Sequence, residues 1–275
     1  MNDQDLQALV DIISGDRPPR VWSLLVTVFG ELAQVTPSMV SGTLLSNLTR
    51  LLGIRPEAMR VALHRLRKDG WIESQRDGRT SSYQLTEWGR AQSAQASPRI
   101  YATTPTKRDA WLVHFDPATP VENAEKVGVV ITPSMFVCAH PPNIPQVFET
   151  KINNSAGLPA WLRAKICDPT TCAQSQRLAN KLAGLRDAVR DANDLTDLQI
   201  AAIRILIVHT WRRIILKAPD LPDAVFPTEW AGPECRLLVA ELLQKLPKKN
   251  VVDLNAQVMK SPVRSKMHYE TPTQA

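Results

Sequence analysis

The stretch Pro56–Leu85, PEAMRVALHRLRKDGWIESQRDGRTSSYQL, decides how the rest of this 275-residue chain is read. Proline suits the first turn of a helix, where its missing N–H would have no intrahelical partner, so Pro56 opens a helix that runs to Gly70. Met59, Leu63 and Leu66 follow the i, i+4, i+7 spacing of an inward face, which leaves Arg60, His64, Arg67 and Lys68 facing out. Two strand-like runs then flank Asp77-Gly78, a dipeptide that favours the type I′ turn of a two-residue hairpin. Arg76 and Arg79 sit beside the tip.

Upstream, SGTLLSNLTRLLG predicts a short amphipathic helix with Ser41 or Thr43 as cap, Leu44, Leu48, Leu51 and Leu52 on one side, and Gly53 as its stop. Before it, the pair Pro18-Pro19 leads into a stripe of Val21, Leu24, Leu25, Val28, Phe29 and Leu32. Helix, tight turn and helix form a DNA-binding supersecondary unit, and a hairpin after the third helix makes it a winged helix-turn-helix over 18–90. TEWGR begins a closing helix capped by Thr86. In this reading Arg60 and His64, one turn apart, reach base edges, with Arg67 and Lys68 on the same outer face. Arg55 at the turn and Arg76 and Arg79 at the hairpin hold phosphate or the minor groove.

The charge distribution agrees with that reading. The overall formal charge is +6, yet residues 1–16 carry four acids and no base, residues 17–99 carry 12 basic and 6 acidic groups, and residues 100–244 carry 15 of each. Residues 245–275 are again basic. A basic first unit and tail around a neutral body fit a protein of which only part meets phosphate.

Downstream, AQSAQASPR (91–99) is small, polar and ends near proline, which predicts a linker between domains. Trp111–Asp116, Val127–Ile131 and Ser134–Ala139 read as strands. Leu178, Leu182, Leu185 and Val189 share a helical stripe, and DLQIAAIRILIVHTWRRIIL is apolar nearly all round, so it is expected as a buried central helix. A last helix carries Leu237, Leu238, Leu242 and Leu246. The expected organisation is an acidic leader (1–17), the DNA-binding unit (18–90), the linker (91–99), a middle domain (100–168), a helical domain (169–247) and a basic disordered tail (248–275). The fold class is α+β, mainly helical. No apolar run is long enough to span a bilayer, and the acidic start is unlike a signal peptide, so a cytoplasmic protein without a membrane partner is expected.

Two stretches together resemble the PaaX family of phenylacetic acid degradation repressors. One is SLLVTVFGEL, LLSNLTRLLGI and AMRVALHRLRKDGWIESQRDGRTSSYQLTEWGR, taken in order; the other is HTWRRIILKAPDLPDAVFPTEWAG. The resemblance runs from residue 18 to about 247 and is thin between Ile100 and Asp168. It implies a ferredoxin-like middle domain between the winged helix and an all-helical end. It further implies a non-enzymatic homodimer that represses a catabolic operon by holding double-stranded operator DNA. Release is by a coenzyme A thioester such as phenylacetyl-CoA, and no cofactor is called for.

Other constellations compete with that reading. The basic end of the most apolar helix, His209, Trp211, Arg212 and Arg213, suits the helix dipole, or else lines an interdomain pocket that holds the anionic end of an inducer. Trp161 and Trp230 are core or interface anchors. Asp116 is the acid that a metal-dependent nuclease of ferredoxin-like fold would use, but one carboxylate without neighbouring acids is poor metal chemistry, and an Asp before Pro117 is an ordinary turn residue. Cys138, His140, Cys167 and Cys172 match no compact zinc spacing; with Cys235, the cysteines are expected as free thiols and no metal site is assigned. A ligand-independent architectural or activating DNA-binding protein is the remaining alternative.

Overall fold

The computed structural model describes residues 3–14, 20–78, 80–105, 107, 109–118, 121–153, 155–190 and 195–260. Within them the protein is mainly helical, with two small antiparallel sheets. Helix α1 (Asp3–Ser14) precedes α2 (Val21–Leu32), β1 (Val40–Ser41), α3 (Gly42–Leu51), α4 (Pro56–Lys68) and the hairpin strands β2 (Ile72–Asp77) and β3 (Thr80–Leu85). Strand β1 escapes a periodicity search because it is only two residues long. It pairs with β3, so the first sheet has the order β1-β3-β2.

The linker expected at 91–99 is instead helical: α5 spans Glu87–Tyr101 and carries Pro98 inside it. Its Ala and Gln residues are good helix formers, and tertiary contact supplies what the missing apolar stripe does not. Arg99 donates to the carbonyls of Ile215 and Ala218, at 2.6 and 2.8 Å, and pairs with Asp220. Next to it, Ile100 is buried and its carbonyl accepts from Trp211 Nε1 at 3.0 Å.

Strands β4 (Trp111–Phe115), β5 (Val129–Thr132), β6 (Met135–Cys138) and β7 (Val147–Lys151) form the second sheet, in the order β5-β6-β4-β7. Strand β7 is an addition to the three strands expected; its side chains are mostly exposed, and it pairs with β4 at the sheet edge. A ferredoxin-like domain calls for a packing helix in each crossover. Among the described residues the first crossover holds the single turn α6 (Ala124–Val127), and the second, residues 139–146, holds no helix.

The remaining helices are α7 (Ala160–Ile166), α8 (Pro169–Arg190), α9 (Asp197–Ile215), α10 (Gly232–Lys245) and α11 (Val251–Lys260). Helix α9 starts at a capping box in which Thr196 and Gln199 exchange side-chain and backbone hydrogen bonds, and it is the buried axis that its composition predicts. It packs against α1, α2, α3, α5, α8 and α10.

Neither terminal segment is the separate piece expected of it. Leu6, Leu9, Val10 and Ile13 of α1 are buried in contacts with α8 and α9. Residues 251–260, expected as part of a disordered tail, form α11, which buries Val251, Leu254 and Val258 on α3 and β1. Asn255 completes that dock by accepting from Ser41 N at 3.0 Å and donating to the Met39 carbonyl at 2.8 Å. So short an apolar stripe is a weak signal, easily masked by the basic residues on either side. The tail beyond residue 260 lies outside the described residues.

Candidate nucleic-acid interface

Three contacts set the angle between α4 and the hairpin. Trp71, where the hairpin begins, lies edge-on between Trp22 of α2 and Trp88 of α5, with ring centroids 6.0 and 5.0 Å away. Thr86 caps α5 by accepting from Gly89 N at 3.0 Å and donates to the Gly70 carbonyl at 2.6 Å. Gly89 packs so closely that a Cβ there would lie 2.3 Å from the Trp71 carbonyl oxygen. The helix ahead is fixed just as firmly. Ser41, not Thr43, is the cap of α3, accepting from Leu44 N at 3.1 Å, and Gly53 ends it with a φ of +69° that a side chain would resist.

Met59, Ala62, Leu63 and Leu66 of α4 are buried against the other helices, and Arg60, His64, Arg67 and Lys68 are exposed on the opposite side. Arg55, the residue before α4, is also exposed, as is Arg76 on β2. All six are thus solvent-exposed, on α4, at its N-terminal boundary and on the hairpin. Arg67 is partly committed, donating to Ser74 Oγ of β2 at 3.3 Å. Arg79 lies outside the described residues. Sequence reasoning misses two residues of α4: Arg65, which lies over the Trp22 ring and pairs with Asp69 at 3.4 Å, and Val61, which is exposed.

The four residues proposed for a ligand do not converge. Trp211 is fully buried and its indole N–H is taken by Ile100. His209 is also fully buried; its Nδ1 lies 3.3 Å from Thr27 Oγ1 and its Nε2 has no hydrogen-bond partner among the described residues. Burial, and then the charges of Arg212 and Arg213, lower its pKa to about 3. Arg212 reaches back into α2, donating to Thr27 Oγ1 at 3.0 Å and to the Ser23 carbonyl, whereas Arg213 is exposed. The paired guanidiniums read from adjacency in sequence thus face different surroundings, because neighbouring helical positions are about 100° apart. Arg212 lines a cavity of about 40 Å³ between α2, α5 and α9.

Larger clefts lie elsewhere. One of about 550 Å³ separates the second sheet from the Pro219–Leu221 loop; its polar lining is of mixed charge, Lys107, Lys126 and His140 with Glu125 and Asp220. Another, of about 630 Å³, is walled by Leu158, Ala164, Cys167, Cys172 and Pro227. Trp161 is exposed, and Trp230 is buried and stacked on Phe226. Asp116 accepts from Ala118 N at 2.9 Å as a turn residue does. Among the described residues no three His, Cys, Asp or Glu side chains are grouped as a metal site would require. All four cysteines are free and buried; Cys167 and Cys172 lie with sulfurs 3.6 Å apart.

A helix-rich protein whose amphipathic α3, exposed basic α4 and β2–β3 hairpin pack on one another has the surface of a nucleic-acid-binding protein. Residues 20–89 match the PaaX-like protein family, and residues 171–251 match the PaaX-like protein C-terminal domain. The two matches together span more than half of the chain, which belongs to the PaaX family. It is 26% identical over 226 residues to the transcriptional repressor PaaX of Escherichia coli (strain K12), covering 71% of this chain and 70% of that one. An uncharacterised protein of Mycobacterium tuberculosis aligns in structure over 86% of this chain and 97% of its own, with a TM-score of 0.47 and 16% identity. Among the described residues no helix is long and apolar enough to cross a membrane.

Proposed function

We propose that this protein is a transcriptional repressor that binds operator DNA as a homodimer through a winged helix formed by α2–α4 and the β2–β3 hairpin. The observation that carries the reading is the outer side of α4, where Arg60, His64, Arg67 and Lys68 stand exposed, with Arg76 exposed on the hairpin that follows. Helix α4 enters the major groove, with Arg60 and His64 at base edges, and Arg55, Arg76 and Arg79 neutralise phosphate. Likeness to the Escherichia coli repressor supports the same role.

An acyl-CoA thioester formed in a catabolic pathway releases the DNA. The ligand class rests on the family resemblance. One feature supports a route from such a ligand to the DNA: Arg212, which ties the body to α2 at the DNA-binding unit. To cause release, the thioester must bind the DNA-incompetent arrangement more tightly than the competent one.

Fluorescence anisotropy with duplexes drawn from the DNA upstream of the protein's own gene and its neighbours, against random duplex, tests the reading. Specific binding that weakens steeply with salt and is reversed by one member of a thioester panel is expected. Equal affinity for all duplexes would overturn the operator role, and indifference to every thioester would overturn the inducer class.

A further inference from the structure

Val61 is 70% exposed on α4, an uncommon setting for a β-branched aliphatic residue in a helix whose other exposed side chains after Pro56 are all charged or polar. With about 100° between successive residues, the direction opposite the buried face of Met59, Ala62, Leu63 and Leu66 falls among Glu57, Val61, His64 and Lys68. Arg60 lies farther round towards one flank. Arg65, on the other flank, is held by Asp69 and by the Trp22 ring. Val61 therefore stands near the crest of the face that a major groove would meet first, one turn from His64 and next to Arg60.

In the major groove the base-pair edges offer hydrogen-bonding groups and one methyl, the thymine 5-methyl, which is read by apolar contact. An isopropyl group on the crest satisfies no donor or acceptor, so the group it is suited to select is that methyl, against the bare C5–H of cytosine. We infer that Val61 is a specificity-determining residue that reads a thymine 5-methyl in each half-site. This rests on the operator-binding reading above and adds the base class to it. Val61 makes no hydrogen bond that its replacement would break, and alanine is a better helix former, so Val61→Ala is expected to fold normally.

The test uses the full-length protein. Binding sequences are selected in vitro from a randomised duplex library, and each thymine of the selected site is then replaced singly by deoxyuridine, which removes only the methyl group. For the unmodified protein, one thymine per half-site is expected to cost roughly fourfold in affinity on replacement, the worth of about one buried methyl-sized group. Val61→Ala is expected to bind the thymine site several-fold more weakly and to treat thymine and deoxyuridine alike there, while Arg60→Ala keeps the deoxyuridine sensitivity. If Val61→Ala retains the full deoxyuridine effect, or if no thymine is sensitive, Val61 does not read the methyl group and the operator role is untouched. A selection that enriches no sequence would overturn the operator role itself, and this inference with it.

Discussion

Glu31 on α2 and Arg204 on α9 form a buried ion pair, 3.2 Å apart, with side chains only 3% and 9% exposed. Tyr101 of α5 donates its hydroxyl to the same carboxylate, and Arg204 also donates to the carbonyls of Leu243 and Leu246. Burial, followed by the Glu31 charge, holds the Tyr101 hydroxyl far above the usual phenol range, so it serves as a donor. Helix α2 and the elements packed on it are thus joined to α5, α9 and α10 through a polar cluster set within continuous apolar packing.

Removing one partner of such a pair leaves the other charge buried and uncompensated, at a cost of about 3–5 kcal/mol. Glu31→Ala should lower the unfolding free energy by an amount in that range. Glu31→Gln should cost less, since it can still accept from Tyr101. Urea denaturation of the three proteins checks this, and a loss below about 1 kcal/mol for Glu31→Ala would show that the pair does not secure the seam.

His209 sets a pH dependence. Its imidazole, with a folded pKa of about 3 against an ordinary value of 6.5, binds fewer protons folded than unfolded between those values. The stability of keeping it neutral is complete above pH 6.5 and is lost progressively as pH falls towards 3. The facing charges are Arg212 and Arg213 on its own helix; across the seam it meets Ser23 and Thr27 of α2. His209→Gln should show a shallower fall in urea midpoint than the parent protein as pH drops from about 7 to about 4.5. Parallel curves would exclude this histidine as the source.

Helix α11 should be a structural part of the DNA-binding unit. Leu254 is fully buried, so Leu254→Ala should cost about 2–5 kcal/mol through the cavity it leaves. Calorimetry should also show that Asn255→Ala destabilises, because the Ser41 N–H and Met39 carbonyl lose their partner. If both variants melt with the parent, α11 is not docked in solution.

On DNA, Arg60→Ala should relax discrimination between operator and random duplex by roughly 1–3 kcal/mol, whereas Arg76→Ala should weaken both alike and reduce the salt slope by about 1. Anisotropy titrations at several salt concentrations separate the two outcomes. A uniform loss for Arg60→Ala would move α4 out of the groove.

A dimer of two winged helices related by a two-fold axis reads half-sites about 34 Å apart. Sedimentation of the full chain should give the dimer mass, and footprints should be palindromic. A monomer that stays monomeric on DNA would leave each α4 reading one short site.

The sequence alone determined the local pieces of α3, α4 and the hairpin, because their determinants are local: Pro56 at a first turn, Thr86 as a cap, Gly53 as a helix stop, and the 3.6-residue spacing of Met59, Leu63 and Leu66; between Ser41 and Thr43 as the cap of α3, the structure chose Ser41. It also marked α9 as central, since a helix apolar on all sides has to be enclosed. Tertiary structure decided what depends on partners distant in the chain. Residues 91–99 are helical where Arg99 and Ile100 meet the end of α9, and α11 exists where Leu254 and Asn255 find α3 and β1. Arg212 and Arg213, adjacent in sequence, part company because one helical step turns the first towards α2 and the second to solvent. Adjacency along a helix fixes direction only relative to that helix; what each direction meets is set by packing between elements far apart in sequence.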